Sequence, residues 1–287
     1  MIDLDLYKHF VRERHAIYLA RQDGRPQPWT EDPVLASRKF TNVFRVLDPG
    51  SQFIFKLDTE KPYDLITRLV LYRMTNLPST WRAIHAELGR YPILEDILEM
   101  DRLVSILKAY RDYGNRVFSG AYIIIPEPGT ANDKIEGAVR AAKWFAENAA
   151  EGFFAAETQE QRFQVLRSTP GMGKFLSMQV LTDWGYLQDV NREGEFIIAG
   201  PGARRGAAHL SETPAEKVIH ALTRMWDADG SVLLHDFTPS LMDVQNTLCE
   251  FSKYHRFVMG GKTYRDTPYR PAHPGEQPEP ILPSWMV

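Results

Sequence analysis

Apolar residues recur every three to four positions through most of the chain, and this spacing predicts helices near residues 2–21, 32–47, 62–77, 78–88, 94–112 and 132–150. The first half reads as a helical bundle. The pattern resumes with helices near 157–168, 173–185, 213–226 and 238–256, interrupted by the Gly-rich run from Ala199 to Gly206. Start signals support several of these: Thr30 precedes the acidic Glu31 and Asp32, and Pro78 with Ser79 opens a helix after a turn at Asn76. Strands are confined to short candidates, Tyr122 to Ile125, Glu195 to Ile198 and Ser231 to Leu234, none beside an Asn-Gly type of hairpin turn. From Thr267 onward the chain is Pro-rich and reads as an extended tail. The expected class is mainly α. The expected organisation is one domain over 1–266, or two helical lobes of about 1–150 and 151–266, followed by the tail 267–287.

Composition narrows the function classes. With 44% hydrophobic residues in 287, the chain can bury a substantial core. Its formal net charge is −3, so a nucleic-acid surface must be a local patch. The single cysteine, Cys249, excludes an internal disulfide and a cysteine-rich metal site, as expected in a reducing cytoplasm. Residues 1–20 mix charges among their apolar positions and lack the block of a signal peptide, and the longest apolar stretches, such as 121–126, are too short to span a bilayer. The expectation is a protein neither exported nor embedded. The eight histidines show no His-x-x-x-His or equivalent spacing, so no protein-held metal or cofactor is expected.

The stretch from Leu166 to Leu181 reads as an apolar residue, a Pro-Gly-x-Gly turn and an apolar-periodic helix, the pattern of a helix-hairpin-helix. Gly171 and Gly173 free the backbone to approach a ligand, and the amides at the helix start suit a DNA phosphate, with Lys174 adding charge. The same turn also serves as an ordinary link between two helices. A nucleotide-binding P-loop is disfavoured, because Ser168 and Phe175 stand where it needs a glycine and a Ser or Thr. The scaffold resembles the helix-hairpin-helix DNA glycosylase superfamily. The lysine and aspartate of its glycosylases have no counterpart here, since Phe175 takes the lysine place and no carboxylate follows in the run 197–206.

Five segments taken in order resemble the alpha-glutamyl/putrescinyl thymine pyrophosphorylase family: Arg38 to Asp48, Phe118 to Ile125, the Pro170 hairpin, Gly200 to Gly206 and Asp243 to Arg256. That family includes amino acid:DNA transferases and the helical domain of 5-hydroxymethyluracil DNA kinases, in viral thymidine hypermodification. Its kinase members carry an additional P-loop domain that this sequence lacks. The resemblance therefore implies a stand-alone transferase acting in an infected bacterial cell, downstream of a base kinase. Such an enzyme replaces the pyrophosphate of 5-(pyrophosphooxymethyl)uracil in double-stranded DNA with an amino acid or polyamine, and Mg2+ can accompany the pyrophosphate.

Within these segments the residue types suggest roles. Arg204 and Arg205 suit pyrophosphate or DNA backbone, or else make surface ion pairs. Helical spacing puts Asp243, Asn246, Glu250 and Lys253 on one face, where Asp243 or Glu250 is placed to take the proton of an incoming ammonium, or where the face is simply solvated. Cys249 offers a thiolate for addition to C6 of the uracil ring, against the blander reading of a small core residue. Phe40, Asn42 and Arg45 suit an extruded base by stacking and pairing, or else Phe40 and Phe44 form one stripe of a bundle helix. Tyr254 with Arg256, Lys262, Arg265 and Arg270 makes a locally basic region, read as a DNA-backbone surface. Two rival functions stand beside the transferase: a non-catalytic module recognising modified DNA for a partner kinase, and a divergent DNA glycosylase.

Overall fold

A computed structural model describes residues 3–120, 133–188, 196–228, 237–261 and 279–286. Among these residues the regular structure is helical: α1 Leu4–Gln22, α2 Pro33–Ser37, α3 Pro49–Ile54, α4 Pro62–Thr75, α5 Pro78–Leu88, α6 Leu94–Glu99, α7 Asp101–Asp112, α8 Lys134–Asn148, α9 Ala150–Ala155, α10 Gln159–Ser168, α11 Lys174–Leu187, α12 Pro201–Ala208, α13 Ala215–Ala228 and α14 Leu241–Val258. The mainly α class follows the apolar periodicity. The strand candidates 122–125 and 231–234, together with Lys262, Arg265, Arg270 and most of the tail, lie outside the described residues, and Phe196 to Ile198 is not a strand. No described helix is long and apolar enough to cross a membrane.

Three expected helices are recut. The helix foreseen over 32–47 exists only as α2, capped by the Asp32 carboxylate on the amides of Val34 and Leu35, and residues 38–44 run extended into a 3-10 turn at Arg45–Leu47. The cause is competition for amides: Thr41, Asn42 and Arg45 give their N–H groups to the side chains of Glu250, Asp48 and Asp243 rather than to helical carbonyls. The helix over 94–112 breaks at Met100, which takes a left-handed φ of 42°, and that over 132–150 ends at Asn148, with α9 following. The largest departure is the Gly-rich run, expected as an interruption and found as α12.

A helix forms there because Pro201 presets its first turn while Gly202 and Gly206, four residues apart, present one bare face to α14. A Cβ at Gly202 would meet the Cys249 sulfur at 2.2 Å, and one at Gly206 the Leu248 carbonyl oxygen at 2.0 Å. The glycines therefore serve helix packing, and α12 and α14 cross backbone to backbone.

The chain divides into two compact units, residues 1–48 with 197–287, and residues 49–196. This differs from lobes meeting near residue 150, and aromatic packing is the reason. In the first unit Tyr7 and Phe10 of α1 pack on Phe251 and Tyr254 of α14, with ring centroids 5.2 and 5.0 Å apart for the pairs Tyr7–Phe251 and Phe10–Tyr254. The Tyr7 hydroxyl and the Thr247 hydroxyl lie 2.8 Å apart in the same core. In the second unit α4 is buried along nearly its whole length, Asp64 to Thr75, among α6, α8, α9 and α11. Its Arg73 is held by the Asp183 carboxylate of α11, and Trp81 of α5 donates to the Thr75 hydroxyl at 2.9 Å.

Candidate functional site

In the first unit, one face of α14 is clasped to the segment 39–45. The four side chains that helical spacing aligns all make bonds there. Lys253 Nζ donates to the Lys39 carbonyl at 2.8 Å, the Thr41 amide donates to Glu250 Oε2 at 3.1 Å, Asn246 Nδ2 donates to the Thr41 hydroxyl and the Asn42 carbonyl, each at 3.1 Å, and the Arg45 amide donates to Asp243 Oδ1 at 2.6 Å. Two segments far apart in sequence thus become one structure. Glu250 also holds Lys253 at 2.7 Å.

The interior residues of this clasp are committed to the protein. Asp243 is fully buried, caps α14 through the Ser240 amide and hydroxyl, and burial pushes its carboxyl above the usual range. Asn42 accepts from Arg14 Nη2 at 2.6 Å and donates to the Leu47 carbonyl at 2.8 Å. Its side-chain amide, expected to pair with a uracil edge, bonds within the protein here. Phe40, foreseen as a stacking platform, packs edge-on against Phe10 and Tyr254 with the Lys253 ammonium 4.3 Å from its centroid. Arg45 is buried, and the Tyr254 hydroxyl donates to Asp32 at 2.6 Å, with burial first and that carboxylate second raising the phenol pKa.

Sequence reasoning passed over Asp48, the last residue of the same motif. Its carboxylate accepts the Asn42 amide at 2.9 Å, and burial pushes its pKa up to about 6, assisted by the Glu250 charge and opposed by that amide, Arg14 and Arg45. A carboxyl titrating there is matched to proton transfer near neutrality. No pattern in the sequence announces this, because the shift comes from neighbours assembled only by folding.

Outward from the clasp, Asn246, Glu250 and Lys253 are half-buried while Thr41, Cys249, Arg204 and Arg205 are exposed. Arg205 and Lys253 are both close enough to Cys249 for their charges to act on its thiol. The thiol is open to solvent on one side and crowded by Gly202 on the other. Loss of solvation among its neighbours, followed by the Glu250 charge, pushes its pKa up to about 11 against the opposing Lys253 and Arg205 charges, so the thiolate is scarce at neutral pH. Arg204 is turned aside, donating to the Ala199 carbonyl at 3.1 Å and facing Glu216 at 3.5 Å. Arg256 is exposed near the end of α14.

In the second unit, a tight turn joins α10 to α11. Gly171 takes φ 76°, which favours glycine, whereas Gly173 caps α11 with an ordinary φ of −78°. A Cβ at Gly173 would meet nothing within 4 Å. Gly171, Gly173, Lys174 and Phe175 are all exposed. The start of α11 is therefore exposed beside a lysine, and a helix N-terminus with a cation next to it suits an anion.

The family described as 5-hmdU DNA kinase, helical domain, matches the chain over residues 2–262. A 5-hmdU DNA kinase of Bacillus phage SP10 is 26% identical over 298 residues, covering 91% of this chain and 46% of that protein. The chain thus spans about half the length of the curated relative it matches. No solved structure matches it.

Proposed function

The chain belongs to the family of 5-hmdU DNA kinase helical domains, and from that membership we propose that it works on thymine-derived bases in DNA during thymine hypermodification. Its own reaction is transfer: an amino acid or polyamine nitrogen bonds to the exocyclic 5-methylene of an activated 5-hydroxymethyluracil as the bond from that carbon to pyrophosphate oxygen breaks. The observation that carries this reading is Asp48, a carboxyl with a pKa of about 6 in the clasp, with Arg14, Arg45 and Glu250 as its charged neighbours. Only a neutral amine is nucleophilic, so a base must take the ammonium proton, and Asp48 has the affinity for it. Glu250 is the second acceptor on the same face. Arg205 and Lys253 suit the departing polyanion.

The turn at Gly171 to Lys174 is the DNA-backbone contact in this reading. Gly173→Ala adds a methyl group at the N-cap of α11 that meets no protein atom within 4 Å. Its expected result is DNA binding weakened about tenfold, the loss of one charge-assisted hydrogen bond worth about 1.5 kcal/mol, with stability changed by less than about 1 kcal/mol. Fluorescence anisotropy with a labelled duplex and a denaturant curve check both halves, and unchanged binding removes the turn from the DNA surface.

A second reading draws on the length relation: a chain spanning about half of a kinase can serve as the module that recognises modified DNA for a separate kinase. Nucleoside mass spectrometry separates the two. Duplex carrying pyrophosphorylated 5-hydroxymethyluracil is incubated with the protein and a panel of amino acids and polyamines, then digested. A nucleoside adduct supports transfer, unchanged DNA bound tightly supports the module, and released free base returns the glycosylase reading.

A further inference from the structure

On the first unit, away from the clasp, three side chains from distant parts of the sequence converge. They are Asp3 at the start of α1, His209 just past α12 and His255 in the last turn of α14. One donor atom from each lies within 4.8 Å of the other two. Asp3 Oδ2 is 3.0 Å from His255 Nε2, and both side chains are only 14% exposed. The two imidazoles stack at 3.8 Å between centroids with 23° between planes, and Phe251 stands edge-on to both, an apolar wall on one side. Asp3 also forgoes its ordinary work. It is the N-cap residue of α1, yet its carboxylate bonds none of that helix's amides and turns to His255 instead.

We propose that Asp3, His209 and His255 form a site for a borderline divalent transition metal, Zn2+ foremost, with solvent completing the coordination. Two neutral imidazoles and one carboxylate are the ligand set that such an ion takes, at about 2.0–2.2 Å. Tetrahedral coordination at those lengths separates ligand atoms by about 3.4 Å, so the donors already lie near the required spacing, and binding turns the stacked rings about their side-chain bonds to aim both nitrogens at the ion. A hard ion such as Mg2+ prefers oxygen and is a poor match. The Asp3 charge offsets that of Arg256, the nearby guanidinium. The bound metal pins the start of α1 to the α12–α14 pair, joining residues that no sequence spacing connects and that meet only through folding.

The test uses untagged, chelator-treated full chain titrated with Co2+ in visible absorption and then displaced by Zn2+. One equivalent with an intense four-coordinate band is expected. His209→Gln and His255→Gln should each lower affinity more than about 100-fold, since loss of a mere outer-shell partner costs 10–100-fold, while His9→Gln binds as wild type. Zn2+ should also protect His209 and His255 of the wild-type protein from diethylpyrocarbonate, mapped by peptide mass spectrometry, a readout needing no variant to fold. No uptake by the wild type, uptake surviving the H209Q/H255Q pair, or modification of both histidines unaffected by Zn2+ overturns the site.

Discussion

Replacing Asp48 with asparagine is expected to stabilise the protein at pH 7 while lowering transfer to DNA by roughly 10²–10⁴-fold, the usual worth of a general base. Both effects share one cause. Burial holds the Asp48 proton until pH about 6 in the folded chain, against 3.8 as the ordinary value. Below pH 3.8 folded and unfolded forms are both protonated and the group contributes its full stabilisation. As pH rises from 3.8 to 6 the unfolded chain gives up its proton first, so stability falls, and above 6 the native state carries the ionised carboxylate at a cost of about 3 kcal/mol. Asparagine keeps an oxygen for the Asn42 amide and carries no charge. The stability difference between variant and wild type should therefore be small near pH 3.8, widen toward pH 6 and stay flat above it.

His15 acts in the opposite sense. Burial first and Arg14 second lower its pKa to about 4, so its contribution is lost as pH falls from 6.5 toward 4. Being common to both proteins, it largely cancels in the comparison. Urea unfolding across this range checks the stability arm, and the pH profile of wild-type transfer, rising through about 6, checks the catalytic one. An asparagine variant less stable at pH 7 contradicts the assignment of a strained carboxylate.

Gly206→Ala is expected to be the most damaging single methyl group in the first unit. The added carbon would stand 2.0 Å from the Leu248 carbonyl oxygen and 2.7 Å from its carbon. Backbone inside a helix cannot rotate away as a side chain does, so α12 must retreat from α14 along the whole crossing. A loss of about 3 kcal/mol or more is expected, the upper end for overpacking. Gly202→Ala meets mainly the Cys249 sulfur, at 2.2 Å. Much of its cost should vanish in a Cys249→Ala background, whereas the cost at Gly206 should not. Denaturant unfolding of wild type, Cys249→Ala, the two glycine variants and the two double variants measures this, and a Gly206→Ala protein as stable as wild type contradicts the close crossing.

The fold was legible where periodicity and end signals agreed. The helix at 78–88 has both a proline at its start and Gly89 in the left-handed conformation at its end, and it appears with those bounds. Reading failed where long-range bonds outcompeted local preference. Residues 38–47 keep a helical apolar spacing, yet the amides of Thr41, Asn42 and Arg45 are claimed by carboxylates of α14 and Asp48. At 199–206 the glycines that usually break a helix are what let one pack against Leu248 and Cys249. The aligned face of α14 was readable from spacing alone. Asp48 was not, because its proton affinity belongs to an environment of several segments, and neither was the meeting of Asp3 with His209 and His255.

Photo-crosslinking tests the central claim, that the clasp between residues 39–48 and α14 receives the modified base. A duplex with 5-iodouracil in place of a single 5-hydroxymethyluracil is bound, irradiated and digested, and the attached peptide is sequenced by mass spectrometry. Attachment is expected within 39–48 or 243–256. Attachment confined to peptides of 49–196, with those two segments unmarked, contradicts it.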